Sequence, residues 1–244
     1  KMLYDQAQLI VAYLEAAQAA ADPSFASVAH DTLAYVRCKL THADGGFFSA
    51  EDADSVPPEQ AGRDNASKTE GAFYVWPQSE IDQLFGDDAE VVRFRYGIEP
   101  DGNAPHDPQG EFTNRNLLYV ARDVEDVARL SGRSVEAVTA VLDGARGRLV
   151  EARSVRPRPH LDDKVLAGWN GLMIAACARV ARVTPLDDAA SDDALETATR
   201  AARFLRDHLW NAGRGVLLRR FRDGHADIDG YSEDYAFLVW GLLE

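Results

Sequence analysis

The stretch from residue 156 to residue 183 reads RPRPHLDDKVLAGWNGLMIAACARVARV and indicates the fold more clearly than any other part of the chain. Pro157 and Pro159 hold the approach extended, because the proline ring fixes φ. The aspartates that follow, Asp162 and Asp163, stand where the N-terminus of a helix favours negative charge. The apolar spacing beyond them predicts a helix over 164–183.

Apolar residues at three- and four-residue steps predict that most of the remaining chain is also helical. Ser24 is the expected cap of the second helix, and Ser232 is the expected cap of the last. Short strands are expected at 47–48, 73–76 and 216–221, where β-type residues interrupt the helical spacing. The predicted helices span 5–21, 24–40, 77–85, 123–130, 134–153, 164–183, 191–210 and a segment that begins at Ser232.

Short turns between these helices alternate with long loops, notably over 43–76 and 96–111. Loops of that length in a compact chain tend to carry function. Paired helices joined in this way predict a mostly α-helical toroid of antiparallel hairpins, and we expect a single domain over 1–244. Lys1 is not an initiator methionine and the apolar segment 237–244 ends without a cap, so we expect an interior part of a longer protein.

The composition is that of a folded, acidic protein. Of the 244 residues 46% are hydrophobic, enough to bury a sizeable core. The formal net charge of −14 disfavours nucleic acid and anionic membrane surfaces as partners. No apolar run approaches the roughly 20 residues that span a bilayer, and the sequence shows no leader pattern. We therefore expect a cytoplasmic protein.

The cysteines and histidines do not suggest redox or metal chemistry. Cys38 and Cys177 each stand in an apolar helical pattern, which is typical of buried thiols. The six histidines stand singly, without the spacing of a metal site. The sequence also lacks a phosphate-binding loop, a nucleophile elbow and a dinucleotide fingerprint, so we expect no metal and no cofactor.

Four clusters place carboxylates beside aromatic residues, at helix starts or in a long loop. The first cluster contains Tyr4 and Asp5, although Asp5 would also serve as an ordinary helix cap. The fourth cluster repeats the theme with Glu233, Asp234 and Tyr235 at the start of the last helix.

The second cluster contains Glu51, Asp52 and Asp54, which follow the glycine turn at 45–46. Crowding raises the pKa of at least one carboxyl group when the group is buried, as a general acid requires. Solvated loop charges would explain the same pattern equally well.

The third cluster is the most specific of the four, and it leads from the two prolines into the helix. A plain helix cap would explain one of its aspartates and would leave the other residues unexplained. Its members are His160, Asp162, Asp163, Lys164, Trp169 and Asn170.

Aromatic rings beside paired carboxylates are what a sugar pocket requires, because a ring packs on the C–H face of a pyranose while the acids bind hydroxyls or move protons. Core packing would also use such aromatics. The candidate catalytic residues are Glu51, Asp52, Asp54, His160, Asp162 and Asp163. The candidate binding residues are Tyr4, Asp5, Tyr74, Trp76, Lys164, Trp169, Asn170, Glu233, Asp234 and Tyr235.

These motifs resemble one protein family, the YyaL-like, spermatogenesis-associated thioredoxin-like proteins. The matching runs are KMLYDQAQL at 1–9, GFFSAEDADS at 46–55, FYVW at 73–76, DDK at 162–164 with WNGL at 169–172, and DYAF at 234–237. The resemblance implies part of an (α/α)₆ toroid of the six-hairpin glycosidase type, related in fold to N-acylglucosamine 2-epimerase. It also implies a thioredoxin-like domain upstream of Lys1 as a partner. The segments 57–68 and 104–109 look enlarged relative to the family, which leaves the size of the substrate open.

Two functions stay open at this point. The first is a carbohydrate-active enzyme, either a sugar epimerase or isomerase or a glycosidase-like hydrolase, that uses paired carboxylates in an aromatic-lined pocket. His160 is the one histidine within a cluster, which speaks against an epimerase with two catalytic histidines. The second is a non-catalytic sugar- or protein-binding scaffold for the thioredoxin-like domain, whose acids would be paired and ordinary in pKa.

We further expect the four clusters to meet at one cavity. The inner helices of such a toroid are parallel, so their N-termini and the loops that enter them gather at one end. Converging acids repel one another, and we expect a raised pKa for at least one of them.

Overall fold

A computed structural model describes residues 1–104, 107, 110, 112–183 and 189–244. The chain divides into two compact units, unit 1 with Lys1–Asp52 and Leu161–Glu244, and unit 2 with Ala53–His160. The expectation of a single domain over 1–244 stays a prediction. Of the insertion-like stretch at 104–109, residues 105, 106, 108 and 109 lie outside the described residues.

The chain is mostly α-helical with short β-ribbons, which confirms this part of the predicted fold class. The predicted toroid of helical hairpins stays a prediction. The helices are α1 (Leu3–Ala20), α2 (Pro23–Lys39), α3 (Gln78–Phe85), α4 (Ala89–Tyr96), α5 (Val124–Ser131), α6 (Val135–Ser154), α7 (Ala167–Val183), α8 (Ala189–His208) and α9 (Ser232–Leu243). The strands are β1 (Ala50–Glu51), β2 (Asp54–Ser55), β3 (Thr69–Glu70), β4 (Leu161–Asp162), β5 (Val165–Leu166), β6 (Trp210–Asn211), β7 (Val216–Arg222) and β8 (His225–Asp229).

Unit 1 contains antiparallel helical hairpins. A two-residue turn joins α1 to α2, and the ring of Tyr13 in α1 stacks on that of Phe25 at the start of α2. In the second hairpin, the Ser191 hydroxyl near the start of α8 donates to the carbonyl of Ala181 near the end of α7. One apolar core fills the space between these helices and includes Leu3, Ile10, Val36, Met173 and Leu205.

Helices α1, α7 and α9 run parallel to one another. The ring of Tyr4 lies 4.8 Å from that of Trp169 at the start of α7, and eleven residues later Glu15 pairs with Arg179 of α7. On the other side of α7, the amide of Gly168 donates to the carboxylate of Asp234 at the start of α9. The three N-termini therefore lie at the same end of unit 1.

Two glycines allow α7 and α9 to approach each other closely. A Cβ atom at position 171 would lie 2.5 Å from the backbone nitrogen of Leu238 and 2.5 Å from the carbonyl carbon of Phe237. A Cβ atom at Gly241 would in turn clash with the carbonyl oxygen of Gly171. Real Cβ atoms do not approach backbone atoms so closely, so any side chain here would push the helices apart.

Unit 2 has two small cores. Trp76, Ile81, Phe85, Val92 and Leu149 belong to the first, which α3, α4 and α6 enclose. The second lies between α4, α5 and α6. Strands β2 and β3 pair in antiparallel fashion, with Asp54 opposite Glu70.

The strand predicted at 216–221 is confirmed, since β7 pairs with β8 in antiparallel register. The strand predicted at 73–76 is wrong. The carbonyl of Gly71 accepts hydrogen bonds from the amides of Tyr74 and Val75, which closes a turn, and Trp76 forms an isolated bridge with Asn116. At 47–48 the backbone forms an isolated bridge between Phe47 and Thr41 instead of a strand.

Three local predictions also need correction. Asp22, and not Ser24, caps α2: its side chain accepts from the Ser24 amide at 2.9 Å, and the helix begins at Pro23. Residues 165–166 form β5, paired with β7, so α7 begins at 167. Cys38 is exposed because it lies off the apolar stripe that runs through Leu33 and Val36, whereas Cys177 is buried as expected.

Replacing Gly171 by alanine should destabilise unit 1, because the added methyl group meets the backbone of α9. We expect the free energy of unfolding to fall by about 2 kcal/mol or more. Gly144→Ala is the matched control, since nothing lies within 4 Å of a Cβ added there. It should stabilise the chain by about 0.5–1 kcal/mol through helix propensity. Denaturant unfolding measures the change in the free energy of unfolding for the two variants. Equal changes would contradict the close contact between α7 and α9.

Candidate functional site

Backbone pairing joins the first three clusters in unit 1. Met2, just before α1, forms a β-bridge with Ala50, and Ala50 lies opposite Asp162 in the β1–β4 ribbon. The amide of Leu3 also donates to the carbonyl of Ser49 at 2.9 Å. The chain segments that enter α1 and α7 are therefore held together by the loop of the second cluster.

Asn170 holds the glycine turn of that loop against the start of α7. Its side-chain oxygen accepts from the amide of Phe47 at 2.8 Å, and its nitrogen donates to the carbonyls of Phe47 and Leu166. The side chain is fully buried. These three hydrogen bonds engage both the oxygen and the nitrogen of the Asn170 side-chain amide, and they fix the position of the turn.

Asp234 links the fourth cluster to the third. One carboxylate oxygen accepts from the amide of Gly168, and the other accepts from the amide of Tyr231 and from Arg219 at 2.8 Å. Arg219 also pairs with Glu233 at 2.8 Å. The buried carboxylate of Asp234 thus joins α7, α9 and β7.

Glu51 and Asp162 lie on neighbouring strands but on opposite faces of the ribbon. Ala50 is the direct partner of Asp162 and Glu51 that of Leu161, and side chains alternate between faces along a strand. The buried carboxylate of Glu51 accepts from the Tyr35 hydroxyl of α2 at 2.6 Å. The register therefore does not aim these two carboxylates at one substrate atom.

Asp162 is held in its ionised form. Burial raises the pKa of its carboxyl group, but hydrogen bonds from Lys164 and Ser49, together with the charge of Lys164, outweigh burial and lower the pKa below its ordinary value. The ammonium group of Lys164 lies 2.8 Å from the carboxylate. This is the opposite of the shift that a general acid requires.

The other acids of unit 1 lie nearer to solvent. Asp163 lies 2.8 Å from Arg222 Nε, within ion-pair distance although not in hydrogen-bond geometry. Asp5 is exposed in the first turn of α1, and Asp52 is exposed just after β1. Tyr235 points away from the α1 side, since its hydroxyl oxygen accepts from the amide of Leu217.

Four candidate residues belong to unit 2. Asp54 lies in β2, the ring of Tyr74 meets that of Phe73 at 4.9 Å, and His160 is exposed at the end of the unit. Trp76 is buried under the guanidinium of Arg156, 3.9 Å from the ring centre. Core packing accounts for Trp76, and the roles predicted for all the candidate residues stay predictions.

A groove lies between α1, α7 and α9, and most of its lining residues were not predicted from the sequence. Its volume is about 690 Å³, within the usual range for small-molecule sites. The rings of Tyr4 and Trp169 lie at the end of the groove where α1, α7 and α9 begin. It is lined by Tyr4, Ala7, Gln8, Val11, Ala12, Glu15, Trp169, Leu172, Phe237 and Trp240.

Unit 2 has a separate, more polar cavity of about 920 Å³. Two arginine–carboxylate pairs lie on its wall, Arg115 with Glu59 and Arg156 with Glu80. Both arginines that line this cavity are therefore already paired with carboxylates.

No group of three or more potential ligands among the described residues could hold a metal ion. Burial raises the pKa of the Cys177 thiol to about 12, so its thiolate is negligible at neutral pH. Among the described helices, none combines the length and the apolar character of a membrane span.

The structure thus defines a helical-hairpin protein with an aromatic groove along three parallel helices. Over its whole length the chain is homologous to spermatogenesis-associated protein 20, which confirms the resemblance read from the motifs. The human protein is 40% identical over 264 residues and the mouse protein 38%, and each match covers 100% of this chain. An uncharacterized protein of Caenorhabditis elegans is 34% identical over 261 residues.

The chain spans about a third of the length of these relatives, 32% of the human protein and 34% of the worm protein. A cellobiose 2-epimerase from Bacillus thermoamylovorans is similar with a TM-score of 0.27 and 10% identity, over 100% of this chain and 72% of that one. No protein-family model matches the sequence.

Replacing Asn170 by alanine should leave the backbone groups of Phe47 buried without partners. We expect a loss of about 3 kcal/mol in the free energy of unfolding. Asn65→Ala, on an exposed loop residue, is the control and should change stability by less than about 0.5 kcal/mol. Denaturant titrations compare the two, and a loss under about 1 kcal/mol for Asn170→Ala would exclude this anchoring role.

Replacing Lys164 by methionine should raise the pKa of Asp162, since burial remains while the compensating charge is lost. A lowered folded-state pKa contributes stability above the unfolded pKa, and that stability disappears as the pH falls through the folded pKa. The variant should therefore be less stable than the unmodified chain above the unfolded pKa, and this difference should vanish as the pH falls through the folded pKa. NMR titration of the Asp162 carboxyl carbon measures the shift, with exposed Lys39→Met as control. An unchanged pKa would show that Lys164 does not stabilise the ionised form.

Proposed function

We propose that unit 1 binds a carbohydrate in the groove between α1, α7 and α9. The observation that carries the proposal is the pair of rings, Tyr4 and Trp169, at the end of the groove where the three helix N-termini meet. Both rings are partly exposed, so they are available to a ligand. A ring face of this kind packs on the C–H surface of a pyranose.

The two walls of the groove differ in a way that suits a sugar. Trp169, Phe237 and Trp240 supply an aromatic wall from α7 and α9. Helix α1 supplies polar groups from Gln8 and Glu15 on its opposing face. An aromatic surface facing a few polar groups is the usual composition of a small-molecule site.

The electrostatics support binding over proton transfer by the predicted acids. Asp162, Asp163 and Asp234 each lie within 3 Å of a lysine or arginine. For Asp162, the ion pair with Lys164 favours the charged form and contributes to the lowered pKa of its carboxyl group. The acids are therefore assigned to holding the mouth of the groove together.

A second candidate is a carbohydrate-active enzyme, either a sugar epimerase or isomerase or a glycosidase-like hydrolase. Its support is Glu51 in β1, a buried carboxylate that accepts a hydrogen bond from the Tyr35 hydroxyl of α2. Glu51→Gln should abolish turnover of a disaccharide while sugar binding persists. If the unmodified chain does not turn over any disaccharide, the enzyme candidate fails and only the binding function remains.

For the longer relatives, we propose that this region accompanies a thioredoxin-like domain, as a cytoplasmic protein of carbohydrate metabolism that needs no cofactor. The acidic net charge of −14 is compatible with a freely diffusing protein that avoids nucleic acid.

Replacing Trp169 by alanine should weaken sugar binding, because it removes one of the two rings at the groove mouth. We expect at least a roughly fivefold rise in Kd, which corresponds to the loss of about 1 kcal/mol of stacking. Isothermal titration with glucose, mannose, N-acetylglucosamine, maltose, cellobiose and chitobiose measures it.

Trp210→Ala is the matched control, since Trp210 lies in β6 and lines a different groove beside α8. It should leave sugar binding unchanged. Equal losses in both variants, or the absence of binding for every sugar, would contradict the proposed function.

A further inference from the structure

We infer that the ligand of this groove is a neutral, linear oligosaccharide of at least two sugar units. The inference rests on the proposed function and concerns the length and the charge of the ligand. Three independent features of the groove support it: its length along α1, the offset between its two indole rings, and the charge of its lining residues.

The groove is longer than one sugar ring. Tyr4 and Glu15 both line it and stand eleven residues apart on α1. At about 1.5 Å per residue, they are separated by roughly 16 Å along the helix axis. A monosaccharide would occupy one end of such a groove and leave the other end solvated.

The aromatic wall has two separate platforms. Trp169 stands at the start of α7, while Trp240 stands on α9 next to Gly241, which packs on Ile174. Because α7 and α9 are parallel, the two indoles are offset by one to two turns, roughly 6–8 Å along the groove. Two platforms at that offset suit successive rings of an extended chain better than one ring.

The polar wall provides groups along the same length. Gln8 lies one turn beyond Tyr4, and its side-chain nitrogen donates to the Tyr4 carbonyl at 3.2 Å, so its oxygen is the group that remains for a ligand. Glu15 lies two turns further, where Arg179 pairs with it at 2.5 Å. Hydroxyl groups can therefore find partners at both ends of the groove.

The lining favours neutral sugars over sugar acids. Glu15 brings a carboxylate, and none of the described lining residues is a lysine, arginine or histidine. Arg179, the nearest cation on α7, is shared between Glu15 and Glu244. The guanidinium of Arg179 lies 6.0 Å from the centre of the Trp240 ring. A uronate or a sugar phosphate would have to compete with Glu15 and Glu244 for this arginine and would lie close to a carboxylate, which costs free energy.

The test is calorimetric titration of the whole chain with cello- and chito-oligosaccharides of one to four units and with trigalacturonic acid. We expect the trisaccharide of one neutral series to bind at least about tenfold more tightly than its monosaccharide, and trigalacturonic acid to bind more weakly than that trisaccharide. Trp240→Ala should reduce the ratio of trisaccharide to monosaccharide affinity. Trp240→Phe retains a stacking ring, so it should keep most of the ratio of trisaccharide to monosaccharide affinity. It is the control for a folding defect caused by the loss of the Trp240 side chain.

The outcomes separate this inference from the proposed function. Equal affinities for monosaccharide and trisaccharide, with binding still dependent on Trp169, would overturn the length assignment and leave the sugar site in place. Tighter binding of trigalacturonic acid than of the neutral trisaccharides would overturn the charge assignment. If no sugar binds, the proposed function fails together with the inference.

Discussion

The backbones of α7 and α9 touch at Gly171 and Gly241, and the rest of unit 1 depends on this contact. Because neither position carries a side chain, the two helices can run parallel at a distance that brings the carboxylate of Asp234 to the amide at the start of α7. That hydrogen bond satisfies a donor at the helix N-terminus and places the negative charge where the helix dipole favours it. The close contact also brings Phe237 and Trp240 of α9 to the same groove as Trp169 of α7.

The carboxylates at this end of unit 1 have a structural explanation that fits the acidic composition. Lys164, Arg222 and Arg219 each neutralise a carboxylate of the third or fourth cluster. Asn170 adds three neutral hydrogen bonds that fix the glycine turn. Such a network rigidifies the mouth of the groove and leaves the aromatic rings as the surface that a ligand would meet. Rigid positioning of aromatic groups lowers the entropy lost on binding, which is what a recognition site requires.

Sequence patterns predicted most helices because apolar periodicity reports which face is buried, and the strand at 216–221 followed from its β-type residues. The same patterns did not predict the turn at 73–76, where the carbonyl of Gly71 overrides the β propensity of the aromatic residues. The convergence of the four clusters on one cavity stays a prediction, and a linear sequence could not show that strand register places Glu51 and Asp162 on opposite faces. The sequence did not single out Gln8, Glu15 and Trp240. Residues recur at the same three- and four-residue spacing on a helix face that lines a groove as on a face that packs in the core. These residues can be recognised only when the positions of α1, α7 and α9, which are remote from one another in sequence, are known.

The central claim is that the groove between α1, α7 and α9 is the ligand site of this protein. A crystal structure of the chain soaked with a neutral trisaccharide tests it most directly. We expect electron density along α1, with one sugar ring on Trp169 and a second beside Trp240. Density in the polar cavity of unit 2, beside Arg115 and Glu59, with an empty groove in unit 1, would contradict it.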